Sequence, residues 1–251
     1  MLQLERHLLF LIKCDIFMAM ESTKKKKISL IVSACVYFVL IISICASIGL
    51  VFHSYYYMPI FVSGSSMYPT LVGDKNNANF GIVDNHKKAI DRIERFDIVT
   101  TYYPWEDYDD NNQLKSNASF KIKRVIALPG ETFKIESGVL YVGYLNEETE
   151  SYDFTSITYT FDTNPSWKTG QLGSRKDVNQ RTLGDNEYWV MGDNRQSSTD
   201  CARTQTSPSQ QPIIKDNIVG VLVAIEGVGK ITVKNGKESI TNKTYQWPRF
   251  Y

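Results

Sequence analysis

An uncharged apolar run near the N-terminus constrains this chain more than any other feature. Residues 28–52, ISLIVSACVYFVLIISICASIGLVF, contain no Asp, Glu, Lys or Arg. As an α-helix rising ~1.5 Å per residue, this run is longer than the ~30 Å hydrocarbon core of a bilayer. The sequence therefore predicts one transmembrane helix over residues 28–52. A cleaved signal peptide is the alternative, favoured by the small residues Ala46 and Ser47, although such apolar regions are usually only ~7 to 15 residues long.

The charges that flank the apolar run predict its orientation. Lys24 to Lys27 precede the run, whereas the next Lys or Arg after it is Lys75. Basic flanks tend to stay in the cytoplasm, so we expect a single-pass protein of the cell membrane with residues 1–27 in the cytoplasm and an extracytoplasmic C-terminal part. MESTKKKK, from Met20, reads as a more natural start, and we interpret residues 1–19 as an upstream extension from start-codon choice.

Charge, cysteine and histidine usage exclude several function classes. The 251 residues carry 28 Lys and Arg against 27 Asp and Glu, so the basic excess typical of nucleic-acid-binding proteins is absent and a nucleic-acid partner is disfavoured. Cys201 is the one cysteine beyond the apolar run, and no Cys-x-x-Cys spacing occurs, so neither a disulfide nor a zinc site is predicted. Histidines occur only at 7, 53 and 86, which gives a Ser-His-Asp triad little support.

The remainder of the chain has a strand-like pattern. Residues 58–251 contain short runs rich in Val, Ile, Phe, Tyr and Thr that are bounded by Gly, Pro, Asn and Asp. Ser137-Gly138 and Asn235-Gly236 separate pairs of such runs, as in β-hairpins with tight turns. We therefore predict a mainly β fold, an antiparallel sheet or barrel-like domain over residues 58–251.

Two polar segments interrupt this pattern. Residues 105–119 and residues 145–186 are rich in charged and polar side chains, and we interpret them as surface insertions or a small satellite subdomain. DYDDNN, from Asp107, resembles the start of a calcium-binding EF-hand loop, but Asn112 stands where that loop needs glycine. We interpret it as a solvated acidic loop.

A cluster of serines follows the apolar run. SGSSMYPTL, residues 63–71, contains three serines, and a serine nucleophile needs a nearby base. Lys121 and Lys123 alternate onto one side of the strand predicted over FKIKRVIAL, with Arg124 on the other. A free lysine has a pKa near ~10.4, so a neutral amine at pH 7 needs a fall of about three units, worth ~4 kcal/mol, which burial supplies. The alternative is an edge strand whose solvated lysines prevent aggregation.

Three separated segments together resemble one family. SGSSMYPTL (63–71), KRVIALPGE (123–131) and GDNRQSSTD (192–200) follow a membrane span in this order. They resemble the type I signal peptidases, membrane-bound serine endopeptidases that use a Ser/Lys dyad, and the resemblance covers about residues 58–227. It implies removal of signal peptides from exported preproteins after small residues, with no metal or organic cofactor. The implied partners are preprotein signal peptides, the lipid bilayer and the protein-translocation channel.

The resemblance also implies roles for individual residues. Ser66 matches the nucleophile and Lys123 the general base, with Lys121 the weaker candidate. Some members place a serine hydroxyl in the oxyanion hole where this chain has Gly64, so the backbone N–H of Ser66 is the main expected donor. Residues expected to line shallow pockets for small substrate side chains are Ile60, Val62, Met67 and Leu71.

The third segment supplies the expected supporting residues. Ser198 resembles the serine whose hydroxyl orients the lysine amine, and Asp200 the carboxylate that helps to hold this region. Asp193 is expected to form an ion pair with Arg124.

The chain departs from the family pattern at two places. The family usually runs Ser-x-Asp-Ser-Arg, whereas this chain reads STDCAR, so that Cys201 replaces a serine and Arg203 comes one residue late. Phe96 stands before Asp-Ile-Val, where the family commonly has glycine.

Two other functions remain open at this point. Another Ser/Lys peptidase, such as a self-cleaving repressor-like protein, would share the dyad but would be soluble and carry a DNA-binding helix pair. A non-enzymatic, membrane-anchored, β-rich surface protein would explain the apolar run and the strands, but not the three segments together.

Overall fold

The computed structural model describes residues 30–51, 55–157, 177–195, 197–202 and 210–251. The chain divides into two compact units, Met1–Tyr55 and Tyr56–Tyr251. Within the described residues, the first unit contains a long apolar helix and the second contains the β-sheets.

Helix α1 spans Leu30–Val51, inside the run that the sequence predicted to be helical. Its 22 residues extend about 33 Å at ~1.5 Å per residue, and the helix is long and apolar enough to cross a membrane. Large apolar side chains such as Leu30 and Phe38 remain 72% and 65% exposed, a surface that favours hydrocarbon over water. The Ser47 hydroxyl donates to the Ser43 carbonyl at 2.8 Å, so this polar group is satisfied within the helix.

The second unit is built mainly of short strands. The strands are β1 (Tyr57–Phe61), β2 (Gly73–Asp74), β3 (Asn77–Asp84), β4 (Ile98–Thr101), β5 (Lys121–Ala127), β6 (Thr132–Glu136), β7 (Val139–Asn146), β8 (Ser151–Ile157), β9 (Val178–Thr182), β10 (Glu187–Met191), β11 (Ile213–Ile214), β12 (Ile218–Lys234) and β13 (Lys237–Phe250). Two single-turn helices, α2 (Lys87–Ile90) and α3 (Pro104–Asp107), lie between strands.

The strands form two antiparallel sheets. The larger sheet has the order β1-β3-β12-β4-β5-β10-β11, with β2 paired to β3 and β13 paired to β12. It curls into a half-barrel, which confirms the predicted mainly β, antiparallel fold. The smaller sheet has the order β8-β7-β6-β9.

Both predicted hairpins are confirmed. Strands β6 and β7 pair around Ser137-Gly138, and β12 and β13 pair around Asn235-Gly236. Ser137 and Gly138 have φ of 50° and 78°, and Asn235 and Gly236 have φ of 53° and 73°. Two successive residues with positive φ make a turn whose twist matches that of antiparallel strands.

Two apolar clusters hold the second unit together. The larger lies around Trp189 and Phe133, whose ring centroids are 5.3 Å apart. The smaller contains Met67 and Leu71, both fully buried, next to strand residues such as Ile98. Burying a side chain of this size stabilises the fold by about 1.5–3 kcal/mol, so the smaller cluster anchors the serine-rich turn to the sheet.

The two polar segments have different structures. Residues 105–119 contain most of α3 and the loop that leads to β5. Residues 145–186 contribute β8 and β9 to the smaller sheet, and residues 158–176 lie outside the described part.

Candidate active site

The serine-rich turn is held by backbone bonds and by two glycines. The Gly64 N–H donates to the Gly73 carbonyl at 3.2 Å, and Gly64 has a φ of 89°, a conformation that glycine adopts without steric cost. A Cβ on Gly73 would lie 2.1 Å from the Gly64 oxygen. The turn therefore needs glycine at both positions, and it presents Ser66 between them along the chain.

Lys123 on β5 meets this turn. Its Nζ lies 2.9 Å from the Ser66 Oγ, and it donates to the Ile122 carbonyl at 2.8 Å. Lys123 is only 3% exposed. The contact joins two residues 57 positions apart in the sequence, and burial of an amine disfavours its charged form.

Lys121 also extends to the same side of β5 but has different partners. Its Nζ lies 2.7 Å and 2.9 Å from the two carboxylate oxygens of Asp107, and it donates to the Ser119 carbonyl at 2.8 Å. The two lysines that the sequence left as alternatives therefore have opposite surroundings, with an ion pair at Lys121 and a hydroxyl contact at Lys123.

Asp107 corrects one sequence interpretation. We expected DYDDNN to be a solvated acidic loop, but Asp107 is only 3% exposed. Besides Lys121, it accepts the Tyr103 N–H at 2.7 Å. The expectation was wrong for Asp107 because its partner lysine is 14 residues away in the sequence, and nothing in the local pattern indicates that pairing.

The segment after β10 contacts the serine turn through its backbone. The Asn194 N–H donates to the Ser66 carbonyl at 2.9 Å, and the Asn194 side-chain amide donates to the Ser65 carbonyl at 3.1 Å. A Cβ on Gly192 would lie 2.2 Å from the Ser198 Oγ and 2.5 Å from the Ser66 oxygen. Glycine at 192 thus leaves room for both groups. No local pattern in the sequence indicates these contacts of Asn194.

Asp200 holds this segment from beneath. Its carboxylate is fully buried and accepts the N–H groups of Gly192 at 3.0 Å and Ala202 at 3.1 Å. Burial, and secondly the negative charge of Asp200, hold the pKa of Tyr103 well above its usual value. The neutral Tyr103 hydroxyl donates to the Thr199 carbonyl at 2.9 Å.

Arg124 and Asp193 form an ion pair on the opposite side of β5 from Lys123. The guanidinium Nε and Nη2 lie 2.9 Å and 2.7 Å from the two Asp193 oxygens. Arg124 also donates from Nη1 to the Phe96 carbonyl at 2.7 Å. Phe96 has a φ of 78°, so the backbone keeps a conformation typical of glycine although the side chain is aromatic.

The residues at the STDCAR departure are in part described. Cys201 is fully buried, and its sulfur accepts the Val190 N–H at 3.4 Å. Burial raises the pKa of the Cys201 thiol to about 12. Arg203 lies outside the described residues.

Two cavities share the walls formed by Ser66 and Lys123. The first, of about 520 Å³, has apolar lining residues that include Ile60 and Ile122, together with polar ones such as Thr100. The second, of about 310 Å³, is lined by polar residues that include Ser197 and Thr199. Of the four residues expected to line substrate pockets, Ile60 lines the first cavity. Val62, Met67 and Leu71 are buried in the smaller apolar cluster and line neither cavity.

Comparisons with known proteins cover most of the chain. A family profile described as "Signal peptidase, peptidase S26" matches residues 32–225. The chain is 30% identical over 198 residues to Signal peptidase I U of Bacillus subtilis, an alignment that covers 76% of this chain and 86% of that protein. It is 32% identical over 161 residues to Signal peptidase I V of the same organism, covering 64% and 80%. A crystal structure of a signal peptidase I from Enterococcus faecalis covers 52% of this chain and 97% of that one, with 22% identity and a TM-score of 0.34.

Proposed function

The chain belongs to the signal peptidase family, peptidase S26, and from this premise we propose that it is a membrane-anchored serine endopeptidase that removes signal peptides from exported preproteins. One observation carries the proposal. The amine of Lys123, a residue that is 3% exposed, lies 2.9 Å from the Ser66 hydroxyl at a wall common to two cavities. A general base must lie within about 2.6–3.2 Å of the proton that it removes.

Proton transfer begins with a neutral Lys123. A neutral amine has two N–H groups and one lone pair, and the Ile122 carbonyl accepts one N–H at 2.8 Å. The lone pair accepts the Ser66 proton as Oγ attacks the scissile carbonyl. The resulting ammonium donates its proton to the leaving amine, and a water molecule repeats the sequence to release the acyl group.

The negative charge that develops on the carbonyl oxygen needs a donor. The Ser66 N–H donates to no described residue, which leaves it available to the oxyanion. Gly64, two residues earlier, contributes no side-chain hydroxyl to this site. Asp200 acts as a positioning residue, since it accepts the Gly192 N–H in the segment that contacts the Ser66 carbonyl. Ser198, whose Oγ lies next to Gly192, is proposed to orient the Lys123 amine, as the family resemblance implies.

The first cavity has the character expected for the signal-peptide side of the substrate. Ile60 and Ile122 line it next to Ser66, and apolar walls suit the small side chains that precede the cleavage site. Val62, Met67 and Leu71 support this wall from the buried cluster.

The membrane anchor determines on which side of the bilayer the peptidase domain encounters preproteins. We propose that residues 28–52 cross the lipid bilayer with residues 1–27 in the cytoplasm and the peptidase domain outside, close to the protein-translocation channel. Tethering raises the effective concentration of exported chains at the site. Protease added outside intact cells should degrade the β-rich domain and spare an N-terminal epitope tag. The reverse pattern would overturn the orientation.

Preprotein cleavage by the purified full-length chain in detergent tests the dyad. Ser66→Ala and Lys123→Ala should each lower kcat/KM by at least about 10³-fold, as removal of a member of a catalytic unit does. Ser239→Ala and Lys134→Ala, matched substitutions on other strands, should retain activity. Activity retained in either dyad variant would exclude the assignment. A wild-type chain that cleaves no preprotein would instead favour the non-enzymatic surface protein.

A further inference from the structure

The two cavities meet at the proposed dyad and differ in chemistry. Both are lined by Ser63, Ser66, Lys121 and Lys123. Beyond these shared walls, the first cavity continues mainly along apolar residues such as Ile60 and Phe61, and the second mainly along polar groups. The first cavity also has three polar lining residues of its own, Thr100, Ser119 and Glu238. We call the second one the polar cavity; its remaining lining residues are Gly64, Ser65, Tyr103, Glu106, Ser197 and Thr199.

A peptide bond held at Ser66 must send its two halves in opposite directions. The residues before the scissile bond are small and apolar in the proposed substrates, so the first cavity suits them. The residues after the bond, which become the N-terminus of the mature protein, then enter the polar cavity. Resting on the proposed function, we infer that the polar cavity binds these residues and that Glu106 makes a basic side chain favourable among the first two of them.

The charges around the polar cavity support a basic preference. Lys121 lies 2.7 Å from Asp107 and 3.5 Å from Glu106. Asp107 is buried and bonded to Lys121 through both oxygens, so the pair neutralises itself. The Glu106 side chain is 45% exposed and lines the polar cavity. Two carboxylates therefore share the one Lys121 ammonium, which leaves a net negative charge at this wall. A Lys or Arg side chain there gains a carboxylate partner, and an acidic one meets like charge.

Glu106 is held in position before any substrate arrives. It belongs to α3, where Lys115 donates from Nζ to the Glu106 carbonyl at 2.9 Å. The rings of Tyr103 and Trp105 stack at 4.6 Å. Asp107 ties the same turn to β5 through Lys121. The polar segment 105–119 thus has a role at the cleavage site, because it supplies an acidic wall next to the dyad.

The inference predicts a charge preference that can be measured with matched substrates. Internally quenched peptides with one cleavage site would carry Lys, Gln or Glu at the first or the second position after it. For the full-length wild type in detergent, we expect Lys to be preferred over Glu by about three- to five-fold in kcat/KM at one of these positions, the range of a partly exposed ion pair. The preference should shrink as salt is added.

Three variants separate the role of Glu106 from a general charge effect. Glu106→Gln should abolish the preference, and Glu106→Lys should reverse it towards acidic residues. Asp110→Asn removes one negative charge from an exposed residue of the same loop that does not line the cavity, and it should keep the preference.

Equal cleavage of all peptides by the wild type would overturn the inference while leaving the proposed function intact. A preference that survives Glu106→Gln, or that Asp110→Asn removes equally, would also overturn it. If the wild type cleaves no peptide or preprotein, the proposed function itself fails.

Discussion

Arg124 on β5 and Asp193 after β10 form a two-point ion pair in the protein interior. Their paired atoms are 2.9 Å and 2.7 Å apart, and the two side chains are 2% and 0% exposed. Arg124 follows Lys123 directly, while the segment that begins at Asp193 contacts the Ser66 carbonyl through Asn194. The ion pair therefore couples the positions of the proposed base and the proposed nucleophile from the opposite side of the strand.

Breaking this pair should be strongly destabilising. Asp193→Asn replaces the carboxylate that faces the buried Arg124 charge with a neutral amide, and we expect the free energy of unfolding to fall by about 3–5 kcal/mol. Urea denaturation followed by tryptophan fluorescence measures it. Glu136→Gln, which breaks the exposed Lys134–Glu136 pair, is the control and should change stability by less than about 1 kcal/mol. Equal effects of the two substitutions would contradict the structural role of the interior pair.

Gly192→Ala should impair catalysis more than stability. The added Cβ would lie 2.2 Å from the Ser198 Oγ and 2.5 Å from the Ser66 oxygen, so the serine turn must move. A displacement on the order of 1 Å costs about 10²-fold in rate, and we expect such a loss in kcat for preprotein cleavage. Gly184→Ala is the matched control, because its nearest neighbour would be an ordinary 3.4 Å contact with Glu187. Unchanged kcat in Gly192→Ala would show that the turn tolerates the shift.

At position 96, a glycine variant should be more stable than an alanine variant, the reverse of the usual order. Its φ of 78° costs a residue with a Cβ about 1–2 kcal/mol, while its ring packs against the larger apolar cluster. Phe96→Ala loses the ring and keeps the strain, whereas Phe96→Gly loses the ring and relieves it. We expect the glycine variant to be more stable by about 1 kcal/mol in urea denaturation.

Thr155 provides the control for this comparison. It lies exposed on β8 with ordinary strand backbone, where alanine should be at least as stable as glycine. The same ranking at positions 96 and 155 would mean that the φ at Phe96 carries no strain.

The sequence predicted those features that depend on local pattern. Alternation assigned Lys121 and Lys123 to one side of β5, and Asn235-Gly236 predicted a hairpin that the structure confirms. Features that depend on contacts between distant segments were not predictable. The burial of Asp107 requires Lys121, and the bonds from Asn194 to the serine turn span more than 125 residues. No periodicity or turn signal encodes such partners.

At Phe96 the sequence shows that the chain differs from the family pattern, but it does not show the structural effect of that difference. The departure from glycine before Asp-Ile-Val is visible in the sequence, but its effect on the backbone is not. The structure keeps the positive φ. Hydrogen bonds to the backbone of Phe96 explain why the positive φ is kept. The Phe96 N–H donates to the Val125 carbonyl at 2.8 Å, and the Phe96 carbonyl accepts from the Arg124 guanidinium at 2.7 Å.

Cys201 should be inert to alkylation and should weaken the fold at high pH. Burial raises the pKa of its thiol to about 12, so the thiol stays protonated in the folded protein. In the unfolded chain the thiol ionises near pH ~8.5. The protonated, buried thiol therefore contributes its full stability below that pH. Between about pH 8.5 and 12 the free energy of unfolding falls by up to ~1.4 kcal/mol per pH unit. Iodoacetamide at pH 8.5, with peptide mapping, should leave Cys201 unmodified until urea is added.

Cys201→Ser restores the residue usual in the family and removes this titration. Because the hydroxyl does not ionise in this range, the stability difference between wild type and variant should shrink above pH 9. Rapid alkylation of Cys201 in the folded protein, or parallel stability curves for the two proteins, would contradict its burial.

The pH dependence of cleavage tests whether the Lys123 amine is shielded from solvent. Lys123 is 3% exposed, and burial of an amine disfavours its charged form. The neutral amine is the active form, so kcat/KM should rise with pH and reach half its limiting value well below pH ~10, where a free lysine amine titrates. Tryptophan fluorescence over the same pH range controls for unfolding. A half-maximal rate near pH ~10 in a protein that stays folded would mean that solvent reaches the amine, and the neutral-lysine mechanism would then be wrong.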